Sequence, residues 1–530
     1  MLGCFEFRDS PKTEEQASIT SRQHIPASKV HEFLSLYTEH YGLKHLIRFC
    51  TTVESAELLD GEQWLLSIEQ KVKPKPAPCQ PTPNYPVVTT GILSDPFMPE
   101  LKGQTTFKAP LFHMHALCSH ASALQNTNAV VIFGASKSAW DACYLAAKQG
   151  CGVIHWIIRV IGNGPMWVVP PYATPLKLSL EVLLTTRVFT WFSPTSWRDA
   201  DGYGWVQRFL HGTWLGRKVV AGYWTLVSAD VVDGTGYDKH AETAKLKGRN
   251  PMFWGQSSAN MLNYDPDFMA LVRDEKIKIP VAEIEHLSID SVHLSDGNEL
   301  KATTLIRATG WKFGAHVKFL PEGIDQSLGT LHYSSTEERE RDSLAFQADK
   351  VILEQFPMLR DQPIPNPAYT PLASSSPDTQ RSNLNQPFRL YRFLVSPLST
   401  ATTKPRLLLP QCPPRHLEAH ARTAASPLGN PRISAHAIPL PASSKVLWST
   451  VLWSRFMACP WPWDAGGSGD KYQELTTEWL LYADTLLRGL GMKTLKARTG
   501  RSWWKDFFVS YKQEDFGGLL EEWLEIRTTM

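Results

Sequence analysis

The chain has 530 residues, of which 43% are hydrophobic and 20% are charged, a balance that can fill a sizeable core over roughly two to four domains. A formal net charge of +2 argues against a nucleic-acid-binding protein, and no signal peptide or transmembrane segment is apparent. The eight cysteines form no C-x-x-C pair, so we expect neither a zinc site nor a disulfide framework, and we expect a cytoplasmic protein.

The N-terminal part of the sequence predicts one helix followed by short strands. Apolar residues at helical spacing begin after Pro26 and stop at Gly42. Asp60-Gly61 is a typical hairpin turn between two runs of strand-forming residues. The predicted strands are residues 47–52, Trp64–Gln70 and residues 85–91.

From residue 128 the pattern changes to strand, glycine turn, helix and strand. Ala129–Phe133 is apolar without alternation, as expected of a strand that is buried on both faces of a parallel sheet. Residues 138–149 predict a helix with small side chains along one side, and residues 152–159 predict a second buried strand. This order is typical of a βαβ unit.

The rest of the chain is more mixed. Residues 160–260 are rich in tryptophan, glycine and proline and include an amphipathic segment at 176–192, whereas residues 278–307 predict short strands. Residues 399–445 are rich in proline, arginine and serine and have no helical or strand period, which predicts an irregular linker. The tail from Lys471 is again helical in pattern.

A glycine loop at residues 134–139 lies directly between the first buried strand and the following helix. A dinucleotide-binding loop needs a glycine for the tight turn, a small residue where the backbone approaches the pyrophosphate, and a small residue where the helix meets the sheet. Gly134, Ser136 and Ala139 fit these three positions in order. A strand–helix turn that binds no ligand is the alternative interpretation of the same residues.

The surroundings of this loop favour a phosphate ligand. The helix that follows would present free backbone N–H groups and the positive end of its dipole. Ser136 and Ser138 can add hydroxyl donors, and Lys137 can add positive charge. The second strand ends in Arg159 rather than in the acidic residue of NAD-binding sites, so the sequence favours the 2′-phosphate of NADPH.

Several motifs, in matching order and spacing, resemble those of the class B flavin-dependent monooxygenases, the flavin-containing monooxygenase-like enzymes that hold FAD and NADPH together. The resemblance is strongest to a fungal branch associated with natural-product (secondary) metabolism, and it covers residues 1–398 and resumes near residue 446. The matching motifs are loop 134–139, which resembles the family's NADPH site; residues 107–113, which resemble F-x-G-x-x-x-H with Ala109 in place of glycine; residues 308–311, which resemble the A-T-G hinge; and Thr90-Gly91, which resembles an earlier Thr-Gly linker.

The resemblance implies an α/β fold with two Rossmann-like dinucleotide-binding domains, of which the FAD domain is incomplete here, and a C-terminal helical segment. The implied divisions are a partial FAD-binding domain at 1–120, an NADPH-binding Rossmann domain with insertions at 121–302, a return to the FAD-binding domain at 303–398, an irregular segment at 399–445, and a helical region at 446–530.

The sequence departs from the family pattern in two places. Family members open with a strand and a G-x-G-x-x-G loop that grips the FAD pyrophosphate, and we find no such loop in this sequence. Residues 403–443 also differ from the strand and small-residue helix that usually complete the FAD domain. We interpret both departures as an imperfect gene model and expect an intact reading frame upstream of Met1.

The resemblance also implies an activity. In this family NADPH reduces FAD, and the reduced flavin uses O2 to transfer one oxygen atom to a small organic substrate. Loop 134–139 would bind the NADPH pyrophosphate and Arg159 its 2′-phosphate, and no catalytic side chain is implied because the flavin carries the chemistry. The crossings between the two dinucleotide domains would be lined by Thr90, Gly91, Thr309 and Gly310.

Other features leave alternatives open. His113 either orients a linker or takes part in catalysis, and the aromatic stretch 191–224 either lines a substrate cavity or packs a core. The residue that often separates hydroxylation, epoxidation, heteroatom oxidation and Baeyer–Villiger insertion falls at Leu117, which matches none of the usual choices. Two other functions also remain: a flavin-free NADPH reductase, and a truncated NADPH-binding paralogue without monooxygenase activity.

Overall fold

The structure is a computed structural model that describes most of the chain. The described residues are 25–59, 63–70, 80–81, 87–91, 95–173, 177–256, 260–262, 264, 268–312, 317–330, 343–372, 389–394, 443–462, 469, 475 and 477–529. Their strands are, in chain order, β1 (Thr51–Leu58), β2 (Trp64–Gln70), β3 (Gln80–Pro81), β4 (Asp95–Pro96), β5 (Leu111–His113), β6 (Ala129–Phe133), β7 (Val153–Ile157), β8 (Val168–Val169), β9 (Tyr172–Ala173), β10 (Leu178–Ser179), β11 (Asn260–Met261), β12 (Ile277–Lys278), β13 (Ile284–Leu287), β14 (Ser291–Leu294), β15 (Glu299–Lys301), β16 (Thr304–Arg307), β17 (Trp311–Lys312) and β18 (Lys318–Leu320).

The helices of the described residues follow the same chain-order numbering. They are α1 (Ala27–His40), α2 (Lys137–Lys148), α3 (Leu180–Leu183), α4 (Arg187–Thr190), α5 (Gly204–Gly212), α6 (Trp214–Thr235), α7 (Ala241–Ala244), α8 (Met252–Gly255), α9 (Phe268–Arg273), α10 (Ile324–Leu328), α11 (Ser343–Gln355), α12 (Ser443–Ala458), α13 (Trp479–Gly489), α14 (Leu495–Thr499), α15 (Trp503–Phe508) and α16 (Leu519–Thr529). None of the helices in this described set is long and apolar enough to cross a lipid bilayer.

A five-stranded parallel sheet carries the glycine loop, with strand order β12, β7, β6, β16, β5. All five residues of β6 are buried, as its unbroken apolar run predicted. The predicted second strand is observed as β7, two residues shorter at its carboxyl end than the predicted range. The predicted α/β class is therefore confirmed as a mixed α/β fold with a parallel sheet, whereas the two-domain Rossmann division stays a prediction.

Helix α2 lies against this sheet through small side chains. Ala139, Ala142 and Ala146 are fully buried on it, so the helix can approach the sheet closely. Trp140 fills the remaining space, with its ring edge-on to Trp156 of β7 at a centroid distance of 5.3 Å. The observed helix begins one residue before the predicted one, and the βαβ pattern read from the sequence is present.

A second, mixed sheet has the strand order β18, β1, β2, β3. Strand β2 is observed as predicted, but the predicted strand 47–52 is wrong, since β1 begins at Thr51 and ends at Leu58. The hairpin explains the difference: Leu58 pairs with Trp64 and Thr51 with Gln70, so the partner strand sets the limits of β1. The predicted turn at Asp60-Gly61 lies outside the described residues.

The predicted strand 85–91 is also wrong in its described part. Residues 87–91 form a single bridge rather than a strand, and residues 85–86 lie outside the described range. Pro86 has no backbone N–H to donate to a ladder, and Gly91 has a φ of 72°, which ends extended geometry. The short strands predicted within 278–307 are confirmed as β12 to β16.

The parallel sheet contains strands from both sides of the predicted domain limits. Strand β5 comes from the range predicted as FAD-binding, and β16 comes from the range predicted as the return to that domain, yet both belong to the sheet of β6 and β7. The exact boundaries at 120 and 303 therefore do not mark where the sheet begins and ends. The division into domains itself stays a prediction.

The C-terminal helices pack on the segment that follows β10. Arg187 of α4 is fully buried and contacts the carboxylates of Asp201, Asp484 and Asp506 at 3.1 to 3.3 Å. Asp484 lies on α13 and Asp506 on α15, so one guanidinium joins the central insertion to the C-terminal region. The amphipathic segment predicted at 176–192 is observed, over residues 177–192, as the short helices α3 and α4.

Two predictions fall largely outside the described residues. Of the segment 399–445, only residues 443–445 are described, and they begin helix α12. Of the tail from Lys471, residues 471–474 lie outside the described range, and helices α13 to α16 confirm the helical pattern of the rest.

Candidate dinucleotide site

Gly134 lies in a position that only glycine can occupy without a shift of the backbone. It follows β6 directly and has a φ of 141°. A Cβ atom built on it would lie 2.1 Å from the carbonyl oxygen of Ala308. Ala308 is held there because its N–H donates to the carbonyl oxygen of Phe133 at 2.7 Å. The end of β16 thus packs directly onto the glycine loop.

Hydrogen bonds fix this loop from two further sides. The Gly134 N–H donates to the carbonyl oxygen of Ile157 at 3.2 Å, and Trp156 Nε1 donates to the carbonyl oxygen of Gly134 at 2.6 Å. The Met166 N–H donates to the carbonyl oxygen of Ala135 at 3.2 Å. The loop is therefore rigidly placed at the carboxyl edge of the sheet, where ligands bind in open α/β folds.

The backbone donors of this loop are available. Within the described part of the chain, the N–H groups of Ala135, Ser136 and Ser138 have no acceptor. Ser136 is the N-cap of α2, and its side chain makes no capping hydrogen bond. Unpaired N–H groups at a helix N-terminus, together with the helix dipole, form a site suited to a phosphate.

Lys137 is directed away from this group of donors. Its Nζ donates to Asp141 Oδ1 at 2.5 Å and to the hydroxyl of Tyr264 at 2.9 Å. The ammonium also lies 4.6 Å from the centre of the Tyr264 ring. The structure thus brings Ser136, Ser138 and Ala139 to the loop as predicted, but it turns the predicted charge of Lys137 along the side of α2.

Arg159 lies two residues beyond β7, and its guanidinium is already engaged. Its Nε donates to Glu283 Oε2 at 2.7 Å, and its Nη2 donates to the carbonyl oxygen of Thr370 at 2.9 Å. Sequence reasoning missed Glu283, which is 124 residues from Arg159. No local signal marks it, because it reaches Arg159 only through the sheet, where the Ala282 N–H donates to the carbonyl oxygen of Ile158.

The A-T-G segment, residues 308–310, leads into β17, which pairs antiparallel with β4. Thr309 Oγ1 donates to the carbonyl oxygen of Phe97 at 2.6 Å, and the Phe97 N–H donates to the carbonyl oxygen of Gly310 at 3.0 Å. Gly310 has a φ of 92°, a conformation that glycine adopts readily. Thr309 and Gly310 thus lie where two chain segments cross. Thr90 and Gly91 precede the same crossing along the chain, with residues 92–94 outside the described range.

His113 contacts this crossing from the end of β5. Its ring lies edge-on to Trp311 at a centroid distance of 5.2 Å, and its Nδ1 accepts from the His115 N–H at 3.1 Å. The residue is buried, and burial lowers the pKa of its imidazole. Its contacts with Trp311 favour the interpretation that His113 orients a linker.

A groove of about 1070 Å³ lies between α6 and the segment 247–254. Its aromatic and sulfur-containing lining residues include Trp167, Trp224, Met252, Phe253 and Trp254. Trp167 of this lining follows Met166, whose N–H donates to the carbonyl oxygen of Ala135 in the glycine loop. Of the aromatic stretch 191–224, Trp224 lines the groove.

Trp191, by contrast, packs a core. It is buried and lies edge-on to Phe507 of α15 at a centroid distance of 4.7 Å. Core packing is therefore observed for Trp191, and a role of the aromatic stretch in lining a substrate cavity stays a prediction.

No protein-family model matches the chain. The chain is similar to the FAD-dependent monooxygenase rstn6 of Aspergillus nomiae, with 25% identity over 99% of this chain and 89% of that protein. It is 26% identical to the FAD-dependent monooxygenase resA of Aspergillus sclerotiorum, over 98% of this chain and 88% of that protein. The chain is thus similar, over nearly its whole length, to fungal FAD-dependent monooxygenases. The predicted resemblance to flavin-dependent monooxygenases and the assignment as an oxidoreductase of the monooxygenase kind are confirmed.

A solved structure shares the fold. Cyclohexanone monooxygenase from Rhodococcus sp. Phi1, bound to NADP+, has a TM-score of 0.52 and 13% identity, over 91% of this chain and 86% of that one. At this identity the likeness concerns the fold and not the role of any residue. Each predicted site residue, from Gly134 to Arg159 and from Thr90 to Gly310, stays a prediction.

Proposed function

We propose that this chain is an FAD- and NADPH-dependent monooxygenase that transfers one oxygen atom from O2 to a small organic substrate in secondary metabolism. The names of its fungal relatives support the FAD requirement and the oxygen chemistry. The glycine loop supports the NADPH requirement. When bound, the two cofactors together supply the reducing equivalents and the reaction with O2, and the protein supplies binding, orientation and exclusion of water.

The residues of the loop fit a dinucleotide pyrophosphate. Gly134 allows the tight turn after β6, since a side chain there would meet the Ala308 carbonyl oxygen. The free N–H groups of Ser136 and Ser138, with those serine hydroxyls, would donate to the phosphate oxygens. Ala139 is a buried residue of α2, and its small side chain keeps the helix close to the sheet and so holds these donors in place.

Arg159 would bind the 2′-phosphate of the same cofactor. It lies just beyond the second strand of the βαβ unit, where adenosine ribose is recognised in this type of fold. Its Nη1 has no acceptor within the described part of the chain, so this edge of the guanidinium is open. A guanidinium edge matches a phosphate geometrically as well as in charge.

The fit to FAD is different. Among the described residues, only loop 134–139 joins a buried parallel strand to a helix of more than two turns. We therefore assign no residue to the FAD pyrophosphate and derive no step through the flavin. The FAD requirement is supported by the relatives alone.

The groove between α6 and the segment 247–254 would hold the organic substrate. Its indole and phenyl rings present flat apolar surfaces, which suit a flat organic molecule and exclude water. The charged residues of its lining are three cations, Lys239, Lys247 and Arg249, and three carboxylates, Asp233, Asp238 and Asp361, so its polar rim favours no one sign of substrate charge. The crossing formed by Thr309, Gly310 and Phe97 would hold the two cofactor-binding parts in a fixed relation.

The rigid, donor-presenting glycine loop is the observation that carries this proposal. We would test it with the visible absorbance spectrum of the purified 530-residue chain, before and after addition of FAD. We expect bands at about 370 and about 450 nm that bleach when NADPH is added without O2, because the flavin carries the redox chemistry. Consumption of O2 that depends on NADPH should accompany them.

Two other results would contradict the proposal in different ways. NADPH binding without flavin bands would mean that this chain is a flavin-free reductase or a truncated paralogue. Flavin bands that bleach equally with NADH and NADPH would contradict only the proposed role of the 2′-phosphate, and the flavin chemistry would stand.

A further inference from the structure

A carboxylate lies beside the arginine that we assign to the 2′-phosphate of NADPH. We propose that Glu283 is a positioning residue for Arg159, and that it thereby sets the preference for NADPH over NADH. The inference deepens the proposed function and rests on it. Its evidence is the set of contacts that surround the Arg159 side chain.

Glu283 uses both of its carboxylate oxygens. Oε2 accepts from Arg159 Nε at 2.7 Å, and Oε1 accepts from the Ile161 N–H at 3.1 Å. Its backbone N–H donates to Ser295 Oγ at 3.0 Å, which ties the residue to the neighbouring hairpin. Because the Ile161 N–H holds the carboxylate and Ser295 holds the backbone, Glu283 can fix the direction of the guanidinium that binds it.

The segment 366–370 also restrains Arg159 and the loop that follows β7. Thr370 accepts from Arg159 Nη2 at 2.9 Å through its carbonyl oxygen and donates to the carbonyl oxygen of Ile161 at 2.9 Å. Asn366 Nδ2 donates to the carbonyl oxygens of Val160 and Gly162 at 3.0 and 2.9 Å. The loop after β7 is therefore held on both sides.

These restraints leave one edge of the guanidinium for a ligand. Nε and Nη2 are occupied, and the side chain is only 13% exposed, so Arg159 has little freedom to rotate. An arginine held in its binding orientation loses less side-chain entropy when a phosphate arrives. Removal of Glu283 would release Arg159 and weaken binding of the 2′-phosphate selectively.

The test isolates the 2′-phosphate by comparing 2′,5′-ADP with 5′-AMP, both titrated into the purified full chain by calorimetry. We expect Glu283→Ala to weaken 2′,5′-ADP about fivefold and 5′-AMP less than about twofold. Glu285→Ala is the matched control, because Glu285 lies exposed on β13, two residues after Glu283, and its removal changes the net charge equally. It should leave both affinities unchanged.

A double-mutant cycle separates positioning from a general structural role. In an Arg159→Ala background, Glu283→Ala should have no further effect on 2′,5′-ADP, since there is no guanidinium left to orient. Glu283→Gln, which keeps the size of the side chain and one acceptor, should give an intermediate affinity and is the variant to use if Glu283→Ala does not fold.

Four outcomes would overturn the inference. Tighter binding of 2′,5′-ADP by Glu283→Ala would mean that the carboxylate opposes the phosphate, and an equal loss for both nucleotides would mean a structural role. If the unaltered chain binds 2′,5′-ADP and Glu283→Ala leaves that affinity unchanged, as Glu285→Ala should, the inference about Glu283 fails and the proposed NADPH function stands. If the unaltered chain binds neither nucleotide, the proposed NADPH function fails with it.

Discussion

Arg187 and Asp484 are 297 residues apart in sequence, yet Nη1 of the arginine donates to Oδ2 of the aspartate at 3.1 Å. Both side chains are fully buried. The same guanidinium contacts Asp201 and Asp506, and Tyr203 donates from its hydroxyl to Asp506 at 2.7 Å. The C-terminal helices are therefore joined to the rest of the protein by one buried cation among three carboxylates.

Arg187→Met is expected to lower the free energy of unfolding by about 3–5 kcal/mol, because it leaves three carboxylates buried without their cation. Chemical denaturation followed by tryptophan fluorescence would measure the change. Arg208→Met is the control: Arg208 is half exposed and its contact with Asp199 lies on the surface, so we expect a loss of about 1 kcal/mol or less. Equal losses for the two variants would contradict the importance of the buried network.

The same network predicts a pH dependence of stability. Burial raises the pKa of Asp484 to about 6, and Arg187 opposes this only in part. Because this pKa lies above the unfolded value of about 3.9, the folded state binds the proton more tightly. The contribution of Asp484 to stability is therefore greatest below about pH 4 and falls as the pH rises through about 6.

Asp484→Asn should remove this decline. We expect the free energy of unfolding of the variant, relative to the unaltered protein, to rise by at most about 1.4 kcal/mol per pH unit between pH 4 and 6. Denaturation curves at several pH values would measure it, with the exposed Asp199→Asn as a control that should show no such trend. If the free energies of unfolding of Asp484→Asn and of the unaltered protein differ by the same amount at every pH, the raised pKa of Asp484 is contradicted.

Gly134→Ala tests the glycine loop. The added Cβ would meet the carbonyl oxygen of Ala308 at 2.1 Å in a backbone conformation that side chains rarely adopt, so the loop must shift. We expect the affinity for NADP+, measured by calorimetry, to fall about tenfold or more. Gly222→Ala is the matched control, because a Cβ there meets nothing within 4 Å, and NADP+ affinity should not change. Retained affinity in Gly134→Ala would refute the role of the loop.

Thr309→Val tests the crossing of the two chain segments. It removes the hydroxyl that donates to the Phe97 carbonyl oxygen and keeps the shape of the side chain, so we expect a loss of about 1 kcal/mol in unfolding free energy. Thr309→Ser keeps the hydroxyl, so its free energy of unfolding should fall less than that of Thr309→Val. Thermal denaturation of the two variants side by side measures the difference, and identical melting temperatures would argue against this hydrogen bond as a contributor.

Local sequence pattern was sufficient for the unit that contains the candidate site. The unbroken apolar run of β6, the glycine that follows it and the small residues of α2 each depend on neighbours within a few positions, so their structure was predictable. The order of motifs along the chain was sufficient for the kinship with flavin monooxygenases. The strand at 51–58 was misplaced because its limits depend on its hairpin partner.

Only the tertiary structure decided which groups surround the predicted residues. Ala308 lies against Gly134, Glu283 binds Arg159, and Lys137 turns to Tyr264 instead of to the loop. Each of these contacts joins residues more than a hundred positions apart, and the first two depend on which strands pair and in what register. Periodicity and composition report the environment of a residue along its own strand or helix, and they contain no information about its partner across the sheet.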